Sequence, residues 1–167
     1  MKLYHYAPMD NSVLQDGLLS ISKNPINLKS YAKRAGSSKK EDIYAFLEKT
    51  FKGRSRAISC LTEPIKWKGN DAVLKQIVDR SMLFSFELDD LVRDGLLEEI
   101  WCKIKCGANG VNEKFKKIHP NEIDASPLSW EKCDSAKGLL FGAVRHYLLV
   151  VKGGVIPPSY LIKENKS

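Results

Sequence analysis

Lys2-Leu3-Tyr4-His5-Tyr6-Ala7-Pro8-Met9-Asp10-Asn11-Ser12-Val13-Leu14-Gln15-Asp16-Gly17-Leu18-Leu19-Ser20 changes period twice within one short run. Lys2 to Tyr6 alternates and is rich in aromatics, which predicts a strand, and Pro8 ends it. Asn11 can cap a short helix over Ser12 to Asp16 with Val13 and Leu14 turned inward, and Gly17 closes that helix. Leu18 to Ser22 then reads as a second short strand. His5 thus ends a strand just before a helix N-terminus, and the two can converge on one small pocket. Free amides at that terminus favour an anionic or carbonyl-bearing ligand.

The rest of the chain repeats this mixture. Pro25 opens a helix through Leu28, Tyr31 and Ala32, stopped by Gly36. Ser38 followed by Glu41 is a capping-box pattern for a helix over Lys39 to Phe51, with Ile43, Phe46 and Leu47 on its apolar face and Gly53 after it. Strands are expected at Ala57 to Leu61, Met82 to Leu88, Glu98 to Lys103 and Val144 to Val151. Short helices are expected near Val73 to Val78, Asp89 to Asp94 and Pro127 to Asp134. Cys106 to Asn112 is turn-rich, His119-Pro120 reads as a turn, and Val155 to Ile162 holds one more strand or turn. Short strands separated by helices of uneven length predict an α+β domain with a mixed or antiparallel sheet rather than a regular βαβ array. A chain of 167 residues is expected to form one domain over 1–167.

Charge is unevenly distributed. The chain carries a net +7, and residues 23–56 hold ten Lys and Arg against three acids, so that stretch accounts for the whole excess. Lysines on outer helix faces ordinarily serve solubility. Concentrated in this way they also create a local positive field that draws phosphates, from a nucleic acid, a dinucleotide or an acidic protein partner.

Several classes fall away. No apolar run approaches the ~20 residues of a membrane span, and the N-terminus lacks the apolar stretch of a signal peptide. A cytoplasmic protein is expected, or one exported without a classical signal. Cys60, Cys102, Cys106 and Cys133 do not form two tight pairs, so reduced thiols are expected and no metal site. Phosphate-loop, dinucleotide-fingerprint and nucleophile-elbow motifs are absent. Trp67, Trp101 and Trp130 read as packing anchors.

The pattern His-x5-Asn-x2-Leu-x2-Gly-Leu, running from His5 to Leu18, resembles the start of the ADP-ribosyltransferase superfamily. It is most similar to the branch that contains the DNA-modifying toxins of the DarT type. Arg56 before Ala-Ile-Ser-Cys-Leu-Thr-Glu-Pro resembles the family's Arg before a strand ending near Pro. Arg145 to Val151, with Ile156-Pro157-Pro158-Ser159-Tyr160, resembles its closing strand and the segment after it. The resemblance implies an ADP-ribosyltransferase-like fold that takes NAD as substrate. His5, Tyr6 and Asn11 would contact the nicotinamide ribose or the amide, and Arg56 would hold the phosphates or orient the substrate.

This chain departs from the family at one point. The family's closing strand carries a catalytic Glu where this chain has Arg145-His146. A neutral imidazole at His146 can serve as a base there. Adjacent strand residues face opposite sides, so one of Arg145 and His146 at most enters a given pocket. Glu63 or Glu122 could bring an acid from another element. The expected activity is NAD-dependent ADP-ribosyl transfer to a nucleic acid or protein, with Arg56 and His146 as catalytic residues. Two other readings stand beside it. One is a non-catalytic binder of nucleotide, nucleic acid or partner; the other is an enzyme similar to the RNA 2′-phosphotransferases, which position a phosphate with His and Arg. The basic segment is expected to border the cleft of His5 and Asn11.

Overall fold

Aromatic and aliphatic residues at alternate positions make Lys2–Pro8 a strand, β1, and it runs through the middle of a seven-stranded sheet. The computed structural model describes residues 1–9, 12–65, 76, 78–105, 114–124 and 146–166. The other strands of that sheet are β3 (Ala57–Leu61), β4 (Ser81–Glu87), β5 (Leu97–Lys105), β6 (Lys114–Ile118), β7 (His146–Val151) and β9 (Ile162–Glu164). Their order is β6-β5-β7-β3-β1-β4-β9, and every pairing is antiparallel. A separate two-stranded ribbon joins β2 (Leu18–Leu19) to β8 (Val155–Ile156). The domain is mixed α+β with an antiparallel sheet. No described helix is long and apolar enough to cross a membrane.

Alternation along the strands sorts the side chains onto two faces. Tyr147, Leu149 and Val151 join Ile58, Cys60 and Phe84 in the larger core. Val13 of α1 (Val13–Asp16) and Leu88 and Leu91 of a later helix, Leu88–Arg93, close over that core. Leu148 and Val150 point the other way, against Phe51, Trp101 and Phe115. Trp101 is an anchor, stacked on Phe51 with ring centroids 4.2 Å apart.

The basic segment folds as α2 (Pro25–Ala35), α3 (Lys40–Glu48) and a 3-10 turn at Arg54–Arg56; Leu88–Arg93 is therefore α4. α3 buries Ile43 and Leu47 and packs against α2. Its start differs from expectation. The Ser38–Glu41 box does not form; Ser37 accepts the Lys39 N–H at 3.1 Å and donates to Asp42 at 2.6 Å. The strand expected over Leu18 to Ser22 stops at Leu19, because Ile21–Lys23 winds into a 3-10 turn after Ser20 bonds back to Gly154. Leu14, expected inward, is 64% exposed, since a single helical turn can aim only one of two adjacent residues at the core, and Val13 takes that place. The expected helix near Val73 to Val78 falls mostly outside the described residues, and the one at Pro127 to Asp134 wholly so.

Gly17 has φ +83°, and a Cβ there would collide with the Ile156 carbonyl oxygen across the β2–β8 ribbon. Gly36 has φ +68° but open space around it. The left-handed conformation alone costs an L-residue about 1–2 kcal/mol, and overpacking adds about 1–3 kcal/mol. Gly36→Ala should therefore lose about 1 kcal/mol and Gly17→Ala about 3 kcal/mol by urea denaturation. Equal losses would contradict the close approach of β2 and β8.

Candidate functional site

β1 shares seven register pairs with β4, and β3 shares five with β7, yet β1 and β3 share only Tyr4↔Leu61. The sheet therefore parts near its centre. A carbonyl in the middle of a sheet needs a donor. Where the parting begins, the donor is a side chain: His5 Nδ1 lies 2.5 Å from the Ser59 carbonyl oxygen. A carbonyl only accepts, so Nδ1 carries the proton and Nε2 of the neutral ring keeps its lone pair. The bond ties the ring to β3 just where β1 and β3 stop pairing. Burial lowers the His5 pKa, and the Ser59 carbonyl offsets only part of that.

Tyr6 stands on the opposite face from His5 by alternation. Its hydroxyl accepts the N–H of Ile65 at 3.1 Å, which ties down the chain that leaves β3. Burial raises its pKa. Asn11 lies outside the described residues.

His146 begins β7 and shares a register row with Leu61 and Tyr4. Its pKa is held well below the ordinary value, first by burial, then by the positive charges of Lys103 and Arg54, with a further contribution from His5 in the same direction. By register His146 lies on the face of Tyr4 and His5 on the other, so the two histidines, expected in one pocket, stand on opposite faces of the sheet, although His5 still contributes to the lowering at His146. Lys103 is buried at 8% exposure and Arg54 at 7%. Both have reached the His146 region, and sequence reasoning named neither.

Arg56 is placed elsewhere. Its side chain is 49% exposed and pairs with Glu98 of β5 at 3.2 Å. It also precedes Cys60, the residue level with the parting, by four residues, roughly 13 Å of strand at ~3.3 Å per residue. Arg54 occupies the inward position instead, with its guanidinium 4.4 Å above the Phe115 ring and bonded to the Thr50 hydroxyl. Geometry of the 3-10 turn decides between them. Residues two apart stand about 240° apart around such a turn, so only one of the pair faces the sheet. The signal available in sequence was Gly53, whose left-handed φ of +103° starts the turn.

The two acids considered as substitutes behave differently. Glu122 accepts the His119 N–H at 2.9 Å and caps its own turn. Glu63 sits partly buried two residues beyond β3. Arg145 lies outside the described residues, as do Cys106 and Cys133; Cys60 and Cys102 are buried thiols, and burial pushes the Cys60 pKa up. Among the described residues no three His, Cys, Asp or Glu side chains are grouped to hold a metal. The basic segment reaches this region through Arg54; Lys49, Lys52 and Arg56 of the same stretch remain exposed. No family model matches the chain, and no curated protein or solved structure matches it.

Both histidines have depressed folded pKa values, so the unfolded chain binds their protons near pH 6.5 while the folded chain does not. Stability is then complete above about pH 6.5 and falls as pH drops below it, ahead of the carboxylate range. The unfolding free energy from urea curves should fall between about pH 7.5 and pH 5.5, by at most about 1.4 kcal/mol for each histidine. His5→Gln and His146→Gln should each flatten the profile. A flat profile in the native chain would refute neutral burial of both rings.

Proposed function

We propose that this chain is an ADP-ribosyltransferase-like enzyme that takes NAD at the parting of β1 and β3 and passes ADP-ribose to a nucleic acid or protein acceptor. The observation that carries the reading is the single ladder pair between two central strands, with a neutral imidazole bonded to β3 where the pairing stops. A parted sheet offers backbone donors and acceptors that the ladder does not consume. His5 Nε2 can accept from the carboxamide of nicotinamide or from a ribose hydroxyl. Arg54 and Lys103 supply positive charge for the diphosphate in a poorly solvated setting, where each contact is worth more than at the surface. His146, neutral at pH 7, can take the acceptor's proton as the new glycosidic bond forms.

One observation favours a second reading. Two cations that act on His146, Lys103 and Arg54, are both buried. Such a set suits a transferring phosphate better than an oxocarbenium ion, whose positive charge it would oppose. A phosphate-transfer enzyme similar to the RNA 2′-phosphotransferases fits that set.

NAD labelled in its nicotinamide separates the readings. With mixed oligonucleotide and protein acceptors, the enzyme should release nicotinamide, and His5→Ala should abolish release. Arg54→Lys should weaken nucleotide binding about tenfold through loss of the guanidinium fork, with Arg56→Ala within about threefold of native. Release of nicotinamide only with a 2′-phosphorylated RNA would select phosphate transfer. Absence of any thermal shift with NAD, ADP or ADP-ribose would sink the nucleotide reading.

A further inference from the structure

Among the described residues β6 forms one edge of the large sheet, with no strand on its outer side. Its residues alternate between the faces. Phe115 and Lys117 share one face and are committed there: Phe115 lies under Arg54, and Lys117 pairs with Glu99 at 3.2 Å. Lys114, Lys116 and Ile118 share the other. Lys114 and Lys116 are exposed and make no ion pair among the described residues. Ile118 borders a groove of about 550 Å³ whose walls include Val92, Leu97, Ile100 and Pro120. Val92 is 45% exposed on the rim side of α4.

Two lysines and an apolar groove, each two residues from the next, match the period of an extended strand. We propose that β6 binds an acidic, extended peptide by strand addition. Its acidic side chains stand opposite Lys114 and Lys116, and an apolar side chain two positions on enters the groove beside Ile118. Main-chain bonds to the open edge supply affinity, and the alternate side chains supply selectivity. Lysines on an edge strand oppose pairing with a second copy of the same strand. The same charges select a partner of opposite sign. A nucleic acid fits less well. It has no ladder of amides to match the edge. The proposal stands apart from the nucleotide reading and does not depend on it.

In an antiparallel addition the peptide reads apolar-x-acid-x-acid, and in a parallel one acid-x-acid-x-apolar. Fluorescein-labelled Leu-Thr-Glu-Thr-Glu-Thr and Thr-Glu-Thr-Glu-Thr-Leu test both orders by anisotropy against the full chain. One order should bind saturably. Methylating its alternate backbone amides should abolish binding while leaving its charge intact. The double variant Lys114→Glu with Lys116→Glu should weaken binding about tenfold, as attraction becomes repulsion at two positions. Both residues are exposed, so its melting temperature should match the native chain. The proposal is overturned if neither peptide binds, or if the methylated peptide binds equally well. It is also overturned if a thymidine oligonucleotide, and no peptide, binds in a manner that the double variant loses.

Discussion

The bond from His5 to the Ser59 carbonyl is the constraint from which the site follows. A central carbonyl left without a donor would cost about 1–3 kcal/mol. β1 cannot supply a backbone N–H there because its ladder with β3 ends after one pair. An imidazole can supply one, on the condition that Nδ1 holds the proton. That single requirement fixes the tautomer, ties the ring to β3, and leaves Nε2 as an acceptor. Burial reinforces it by disfavouring the charged ring. Strand separation and the acid–base state of the candidate site are therefore one arrangement rather than two.

A second arrangement brings the basic segment to the same place. Phe51 stacks on Trp101 and meets Phe115 edge-on, with centroids 5.4 Å apart in the latter pair. Burying such a ring contributes up to about 3 kcal/mol, and each aromatic pair adds about 0.5–1.5 kcal/mol. This contact pins the end of the segment onto β5 and β6 just before the Gly53 turn. Arg54 is then carried inward and Arg56 outward. The net charge of residues 23–56 consequently splits by role. One guanidinium enters the poorly solvated region near His146, while Lys49, Lys52 and Arg56 stay in solvent, where salt screens them.

These contrasts explain what could be read from the chain before its fold. β1, β3, β4 and α4 were legible because alternation or helical spacing is a local property, written in the order of residues such as Leu83-Phe84-Ser85-Phe86. β6 was not, because Lys-Phe-Lys-Lys-Ile carries few apolar residues and owes its strand to pairing with β5. His5 was singled out as the end of a strand, whereas it lies in the middle of β1, and the place beside it where β1 and β3 stop pairing is set by a long-range event. The choice between Arg54 and Arg56 turned on the phase of a three-residue turn, and no period can be measured over three residues. Leu14 and Ser38 failed for a related reason: within one turn of helix, two adjacent residues look equally suited to the same task.

The two proposals place negative charge at the middle and at the edge of the sheet, where different physics would hold it. Near His146, Arg54 and Lys103 are nine-tenths buried, so an anion there would shed its water and be repaid by strong, weakly screened attraction. At β6, Lys114 and Lys116 are solvated, and their attraction fades within a Debye length of about 8 Å at physiological salt. Selectivity at the edge must then come from ladder bonds and the groove at Ile118, with charge serving to admit or refuse a strand. Selectivity at the centre would come from the geometry around the His5 bond. A sheet whose inner ladder yields to a side chain, and whose outer ladder at β6 carries no further strand among the described residues, would separate the two proposed tasks along one direction, across five strands from β1 to β6.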